Sequence, residues 1–99
     1  MVQTVKGGAL SLFKKDKAYF YAPNDKAFWN NDGKIFHSLS ELASGLRMMT
    51  DEKYRYHANE TKNDYAKWVR EVIADDKAAD ALEKAVDRVD AAKKLEDGQ

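Results

Sequence analysis

Several common features are missing from this sequence of 99 residues, and each absence excludes a class of protein. There is no cysteine, so disulfide bonds and thiolate metal ligands are excluded. No apolar run approaches the roughly 18–20 residues that a membrane-spanning helix needs. The first residues also lack the basic and apolar regions of a signal peptide. We therefore expect a cytoplasmic protein that does not associate with membranes.

The charge balance argues against partners that are polyanions. Lysine and arginine number 17, aspartate and glutamate also number 17, and the formal net charge is zero. No global field therefore attracts nucleic acid or an anionic membrane. Charged residues make up 34% of the chain and apolar residues 43%, a composition typical of a globular protein with a heavily charged surface. A chain of this length forms one domain, which we expect to span residues 1–99.

The N-terminal third of the sequence contains short β-prone runs and turn signals. Residues 1–8 are expected to form a flexible arm. Two β-prone runs follow at residues 10–13 and 17–22. The sequence Asn-Asn-Asp-Gly at 30–33 supplies the positive φ angles of a tight turn between two further runs. These patterns predict a small antiparallel β-sheet within about residues 10–37.

The remaining two thirds contain helix caps followed by apolar stripes of helical spacing. Ser38 and Glu41 fit a capping box, and Thr50 and Asn63 are typical N-cap residues. After Asn63, apolar residues recur at i, i+3, i+4, i+7 and i+8, which is a full amphipathic pattern. The predicted helices cover about residues 39–49, 51–58, 63–74 and 77–87, with a last short helix in a tail, 90–99, that is expected to fray. The apolar line of the 77–87 helix continues through Val86 and Val89.

The predicted fold class is therefore α+β, with the small sheet packed against three to five short helices. Residues with apolar periodicity are expected to form a single core between the sheet and the helices. The predicted core residues are Phe20, Ile35, Leu39, Leu42, Leu46, Tyr65, Trp68, Val69, Val72 and Leu82.

One polar stretch, between the second and third predicted helices, is the candidate binding site. If the two helices meet at a corner, the Asp64 carboxylate accepts a hydrogen bond from the His57 ring near the positive end of a helix. Two interpretations remain open: a polar pocket for a protein or a small ligand, or a clasp that joins two helix ends. The candidate ligand-binding or partner-binding residues are His57, Asn59, Lys62, Asn63 and Asp64.

A second surface suggests nucleic-acid binding as the alternative function. Exposed aromatic side chains on a sheet can stack on bases while neighbouring lysines bind phosphate groups. The opposing interpretation is that one sheet face packs on the helices and the lysines keep the edge strands soluble. The residues of this alternative are Lys14, Lys15, Lys17, Tyr19, Tyr21, Trp29 and Lys34.

The sequence contains no motif for catalysis, cofactor binding or metal binding. Its two histidines, His37 and His57, lie on different predicted elements without metal-ligand spacing. No serine lies in a nucleophile elbow, and no glycine-rich loop has a phosphate-binding pattern. A His57 general base oriented by Asp64 is the one enzymatic arrangement considered. We expect a non-enzymatic protein with no catalytic residue, cofactor or metal.

The segment from about residue 34 to residue 86 resembles a small uncharacterised module found in archaeal and bacterial proteins. The resemblance consists of a Ser-Leu-x-Glu helix start, a histidine, an Asn-Asp-Phe/Tyr-x-x-Trp-Ile/Val motif and an acidic break before another helix. The matching positions are Ser38, Leu39, Glu41, His57, Asn63, Asp64, Tyr65, Trp68, Val69, Asp75 and Asp76. The resemblance implies the helix boundaries and a pairing of the histidine with the start of the next helix, and it implies no reaction.

These observations favour an interaction or regulatory module over an enzyme. The chain has no catalytic signature, and its polar donors and acceptors concentrate between two helix ends. The leading hypothesis is a protein that binds an unidentified protein or small-molecule partner at that corner, as a monomer or a weak dimer. Nucleic-acid binding through the N-terminal strands is the runner-up.

Overall fold

The structure, a computed structural model, describes residues 20–98 of the chain. A 3₁₀ turn precedes a two-stranded hairpin, and helices make up most of the remainder. In chain order the elements are the 3₁₀ turn (Asn24–Lys26), β1 (Phe28–Trp29), β2 (Ile35–Phe36), α1 (Leu39–Met48), α2 (Asp51–His57), α3 (Asp64–Trp68) with its π-helical continuation (Val69–Ile73), α4 (Asp76–Lys84) and α5 (Arg88–Asp97). The predicted α+β class is confirmed, because a small antiparallel sheet packs against short helices.

The hairpin has the predicted turn. β1 and β2 are antiparallel, with Phe28 opposite Phe36. The Asn30 amide donates to the Lys34 carbonyl at 2.9 Å and closes the ladder. Gly33 has a φ of +90°, a conformation that residues with a Cβ atom rarely adopt. The prediction of a tight Asn-Asn-Asp-Gly turn is therefore confirmed.

Part of the predicted N-terminal region lies outside the described residues. This applies to the arm at 1–8, the β-prone run at 10–13 and the first part of the run at 17–22. The described end of that run, residues 20–22, is not a strand, although the Ala22 amide donates to the His37 carbonyl at 2.7 Å. Phe20, a predicted core residue, is exposed. The inward and outward alternation of a strand does not extend to a segment outside the sheet.

Each α-helix of the described residues begins with a side chain that accepts a hydrogen bond from its first turn. The cap residues are Ser38, Thr50, Asn63, Asp75 and Asp87. At α1 the Ser38 hydroxyl accepts from the Glu41 amide at 3.1 Å. The Glu41 carboxylate accepts from the His37 amide at 2.7 Å, one residue further back than in a standard capping box. Helix starts were predictable because the caps are local.

Aromatic residues of the hairpin and α3 form the centre of the core. The buried Tyr65 hydroxyl donates to the Asn30 side-chain oxygen at 2.7 Å. The Trp68 indole N–H donates to the Lys26 carbonyl, also at 2.7 Å. These bonds satisfy the polar ends of both rings and fasten the hairpin region to α3. Of the predicted core, Leu39, Leu42, Leu46, Tyr65, Trp68, Val69 and Leu82 are buried, whereas Ile35 and Val72 are half-buried.

The central helix changes pitch after Trp68. A π-helical turn follows, and Ala74 ends it in the left-handed region with a φ of 62°. This conformation costs an alanine on the order of 1 kcal/mol. The Asp75 amide donates to the Val69 carbonyl at 3.3 Å, which closes the wider turn. The reversal leaves Asp75 in position to cap α4.

The C-terminal segment differs from the sequence-based expectation. The tail at 90–99 is predicted to fray, but its described part belongs almost entirely to α5. Ala91, Ala92 and Leu95 are buried, and α5 packs along α1. Alanine has too little apolar surface for this stripe to be obvious in the sequence, so tertiary packing determines the helix.

Gly45 allows the hairpin to approach α1 closely. A Cβ atom at this position would overlap the Phe36 ring. Phe36 is itself buried, and its ring stacks on that of Phe28 with a centroid distance of 6.4 Å. The ring therefore has little room to move away. A glycine inside a helix costs up to about 1 kcal/mol, and the packing of β2 on α1 offsets that cost.

We expect Gly45→Ala to lower the free energy of unfolding by about 1–3 kcal/mol, because overpacking against Phe36 outweighs the better helix propensity of alanine. Urea denaturation measures the change. Ser44→Ala, at an exposed position of the same helix, is the control and should be neutral or slightly stabilising. If the two variants gained stability equally, the close packing of Phe36 on Gly45 would be contradicted.

Candidate functional site

The chain turns sharply between α2 and α3, in a segment that we call the corner loop (residues 58–63). Ala58 and Asn63 form an isolated antiparallel bridge. Inside it, the Asn59 amide donates to the Lys62 carbonyl at 2.8 Å. The corner loop is therefore a closed turn whose backbone is fixed at both ends.

Asn59 fastens the corner loop to the end of α2. Its side-chain amide donates at 3.0 Å to the Arg55 carbonyl, which belongs to the last turn of the helix. Its side-chain oxygen accepts from the Thr61 backbone amide at 3.0 Å and from the Thr61 hydroxyl at 2.8 Å. The Asn59 side chain is exposed, and its hydrogen bonds hold the loop in one conformation.

His57 ends α2 with its ring enclosed by aromatic side chains. The ring centroid lies 5.0 Å from that of Phe28 and 5.4 Å from that of Tyr65. The Nδ1 atom lies 3.0 Å from Asp64 Oδ2. Because an ionised carboxylate can only accept, Nδ1 carries the proton and donates. The other ring nitrogen, Nε2, is buried and has no hydrogen-bond partner in the described part of the chain.

Two donors meet at one oxygen of Asp64. Lys62 Nζ lies 3.0 Å from the same Oδ2 atom as the His57 ring. The Lys62 ammonium also lies 5.5 Å from the centre of the Tyr56 ring. Burial raises the pKa of the Asp64 carboxyl, but the hydrogen bonds from His57 and Lys62 outweigh it, so the pKa lies below its ordinary value. Asp64 is therefore ionised at neutral pH, at the positive end of α3.

Asn63 joins three segments of the fold. Its side-chain oxygen accepts from the Ala66 amide at 3.0 Å, which caps α3. Its side-chain amide donates to the Leu82 carbonyl at 3.2 Å, which ties the corner loop to α4. The residue thus makes one local hydrogen bond and one between distant parts of the chain.

The structure brings the five predicted binding residues together in two different roles. His57, Asn63 and Asp64 make the internal bonds that the clasp interpretation predicts. Asn59 and Lys62 are exposed. The buried Nε2 of His57 has no route to a substrate, which removes the geometric basis for a His57 general base.

A cleft of about 950 Å³, which we call the corner cleft, opens beside the corner loop. Asn59, Lys62 and Asn63 line one side of it. The connection between α4 and α5, residues 85–88, lines the other side. Val86 in this connection has 86% of its surface exposed. The corner cleft therefore has a polar wall from the predicted site and a second wall from a distant part of the sequence.

Most of the charges that line the corner cleft have partners within the protein. Arg88 Nε donates to Asp51 at 2.7 Å, and Arg88 Nη1 donates to the Leu46 carbonyl at 3.1 Å and the Arg47 carbonyl at 2.8 Å. The Asp87 carboxylate accepts from the Asp90 amide at 2.7 Å as the cap of α5. These groups hold helix ends in place, and their charges are already engaged within the protein.

Two charged side chains of the corner cleft have no partner among residues 20–98. Arg55 and Glu60 are both exposed and both line the cleft. Neither has a hydrogen-bond or ion-pair partner for its side chain among residues 20–98. The corner cleft thus presents one cation and one anion that the fold does not neutralise.

Tyr54 gives the corner cleft an aromatic component. Its ring stacks on the buried Tyr65 ring with a centroid distance of 5.8 Å. Burial, followed by the negative charges of Asp87 and Asp90, raises the pKa of the Tyr54 hydroxyl. The hydroxyl is therefore protonated at neutral pH and faces an acidic part of the wall.

Sequence reasoning missed the second wall for a specific reason. The apolar line of the predicted 77–87 helix continues through Val86 and Val89, which suggests one helix, but α4 ends at Lys84 and both valines are exposed. The available signal was the pair Asp87 and Asp90. Asp87 caps α5, and the Asp90 carboxylate reaches back to the Val86 amide at 3.0 Å.

The predicted nucleic-acid surface is described only in part. Lys14, Lys15, Lys17 and Tyr19 lie outside the described residues. Tyr21 and Trp29 are exposed, and Tyr21 stacks on the His37 ring with a centroid distance of 4.6 Å. Lys34 is exposed at the edge of a groove of about 490 Å³ beside β2. In residues 20–38, two lysines and two aspartates balance, so this part of the surface has no positive excess.

Two further features are absent from residues 20–98. No group of three or more histidine, aspartate or glutamate side chains is arranged to hold a metal ion there. No helix in the same range has the length and apolar character to cross a membrane. In comparisons with protein-family models, curated proteins and solved structures, the chain has no match. The function must therefore be argued from the corner cleft itself.

We expect Asn63→Ala to lower the free energy of unfolding by about 2–3 kcal/mol, because it removes a helix cap and leaves the Leu82 carbonyl without its donor. Asn63→Ser retains a cap oxygen but is too short to reach Leu82, so its loss should be roughly half as large. Urea denaturation of both variants measures the difference. A loss of unfolding free energy below about 0.5 kcal/mol for Asn63→Ala would contradict the role of Asn63 in linking the corner loop to α3 and α4.

Acid should weaken the bond between His57 and Asp64. A carboxyl whose pKa is lowered by folding contributes stability above its ordinary pKa of 3.8, and this contribution disappears as the pH falls through the lower pKa of the folded state. Asp64→Asn should therefore lose less stability than the wild type between about pH 5 and pH 2, measured by thermal unfolding. Asp25→Asn, on the exposed 3₁₀ turn, is the control. Equal acid sensitivity in Asp64→Asn and the wild type would rule out this contribution.

Proposed function

We propose that this protein is a non-enzymatic interaction module that binds a partner in the corner cleft. The observation that carries the proposal is the pair of unneutralised charges, Arg55 and Glu60, in a cleft built from two distant parts of the chain. Folding alone does not account for them, because neither side chain makes a hydrogen bond or ion pair within residues 20–98. A partner that supplies the opposite charges would account for both.

The rigidity of the corner loop supports a binding role. Asn59 holds the loop through its side-chain bonds to Arg55 and Thr61, and Asn63 ties it to α4. A surface that is fixed before binding loses less conformational entropy when the complex forms. The clasp and the binding site are therefore compatible: the buried His57 and the half-buried Asn63 and Asp64 position the exposed residues.

The lining of the corner cleft favours a protein partner over a small molecule. Small-molecule sites are mostly apolar and enclose most of the ligand. This cleft is open to solvent and carries charges of both signs from α2, the corner loop and the α4–α5 connection. A polypeptide segment, with side chains of both signs, fits such a surface better. We propose that the protein acts in the cytoplasm as a monomer or a weak dimer.

We expect Val86→Arg to abolish the binding of peptides that a random 12-residue display library yields against the wild-type protein, because the long charged side chain replaces the exposed apolar surface of Val86 and obstructs part of the corner cleft. The exposed position of Val86 means that the fold should be unaffected. Fluorescence anisotropy of the labelled peptides measures the affinity, and the thermal midpoint checks the fold.

Met48→Arg is the matched control, since Met48 is 78% exposed and lines the separate groove beside β2. Binding that is lost in Met48→Arg and kept in Val86→Arg would place the site in that groove and overturn the proposal. A selection that enriches no peptide would also overturn it.

Nucleic-acid binding is the second candidate function. The observation that favours it is the exposure of Trp29 and Tyr21, because exposed aromatic rings can stack on bases. The balance of charge in residues 20–38 weighs against it. Titration with a single-stranded oligonucleotide at low ionic strength decides the matter: no salt-sensitive affinity would eliminate this candidate.

A further inference from the structure

Three of the four arginines in the sequence are bound to carboxylates. Arg47 Nε donates to Glu96 at 2.8 Å, Arg70 donates to Asp80 at 2.8 Å, and Arg88 donates to Asp51 at 2.7 Å. Arg55 is the exception, since its guanidinium has no carboxylate or carbonyl acceptor in the described part of the chain. A planar guanidinium pairs best with a carboxylate through two parallel hydrogen bonds. Arg55 is therefore the most available carboxylate-binding group of the corner cleft.

The backbone around Arg55 is fixed although its side chain is unpaired. Its carbonyl oxygen accepts from the Asn59 side chain at 3.0 Å, and the residue lies in the last turn of α2. The C-terminal end of a helix carries a partial negative charge that favours a cation there. The Arg55 side chain is thus attached to a fixed backbone beside the cleft.

Glu60 limits which anion the corner cleft accepts. It is exposed in the corner loop, and no cation of residues 20–98 pairs with it. The neighbouring Lys62 is already engaged by Asp64 and by the Tyr56 ring. A doubly charged phosphate bound to Arg55 would lie in a cleft that also contains this free carboxylate, and like charges repel. A ligand that carries its own cation for Glu60 avoids that repulsion.

The corner cleft also offers apolar surface. Val86 is 86% exposed, and Ala85 and Tyr54 line the same cleft. An aliphatic side chain in this place would cover Val86 and gain free energy by leaving water. The lining therefore matches a polypeptide segment with an acidic, an aliphatic and a basic side chain.

We propose that the partner segment is of this mixed-charge kind, with a carboxylate that binds Arg55 and a cation that binds Glu60. This inference rests on the proposed function, because it specifies the occupant of the same cleft. The two charges then act as specificity determinants: a segment with only one sign of charge leaves either Arg55 or Glu60 without a partner.

The test uses charge reversal on peptides whose binding is sensitive to Val86→Arg. Arg55→Glu should weaken the binding of such a peptide by at least about tenfold. Replacing the acidic residue of the peptide with lysine should restore most of the affinity to Arg55→Glu and weaken binding to the wild type. Glu60→Lys should likewise weaken the binding of the original peptide. Replacing the basic residue of the peptide with glutamate should restore most of the affinity for Glu60→Lys and weaken binding to the wild type.

Lys67→Glu and Glu71→Lys, at exposed positions outside the corner cleft, are the controls and should leave the affinity unchanged. The thermal midpoint of Arg55→Glu should fall only slightly, because the substitution places an anion at the negative end of α2 but breaks no side-chain bond among residues 20–98. A further peptide carries phosphoserine in place of its acidic residue. This phosphoserine peptide should bind the wild-type protein more weakly than the peptide with the carboxylate.

The outcomes separate this inference from the proposed function. If peptides depend on Val86 but keep their affinity within about twofold for Arg55→Glu and Glu60→Lys, the cleft binds partners and the mixed-charge assignment is wrong. Tighter binding of the phosphoserine peptide would also overturn the assignment. If no peptide depends on Val86, the proposed function fails and this inference fails with it.

Discussion

The hydrogen bond between the His57 ring and the Asp64 carboxylate determines how the two halves of the helical region meet. It joins the last residue of α2 to the first residue of α3 at a Nδ1 to Oδ2 distance of 3.0 Å. On one side of the bond the ring packs against Phe28 and Tyr65, which belong to the aromatic core. On the other side the same carboxylate fixes Lys62 on the surface. Core packing, helix geometry and the shape of the corner cleft therefore depend on this bond.

The polar groups in this region illustrate how a small domain builds a surface from its interior. Tyr65 and Trp68 donate their polar hydrogens to Asn30 and to the Lys26 carbonyl, so the hairpin is held to α3 by directed bonds as well as by apolar contact. Asn63 extends the same network to α4. Each of these bonds is buried or half-buried, where a lost partner leaves an unsatisfied group and costs more than the bond itself contributes.

The features that could be predicted from the sequence depend on neighbouring residues, and the features that could not be predicted depend on contacts between distant parts of the chain. Ser38, Thr50 and Asn63 predict the starts of their helices because an N-cap residue bonds to the first turn of the helix. The pairing of His57 with Asp64 was predictable for the same reason, since both lie at the ends of a short loop. The second wall of the corner cleft was not predictable, because Val86 continues an apolar helical line and only tertiary structure shows that α4 ends before it. The free charge of Arg55 was equally hidden, since a sequence does not show which of its carboxylates are already engaged.

The guanidinium of Arg88 has a consequence for how this protein can change over evolution. By bonding to Asp51 and to two carbonyls at the end of α1, it joins two helix ends at the base of the corner cleft. The guanidinium of Arg55, which lines the same cleft, makes no such bond among residues 20–98. In the proposed function, stability and recognition are thus assigned to different residues. Substitutions at Arg55 or Glu60 would then alter the choice of partner without breaking a side-chain bond of residues 20–98.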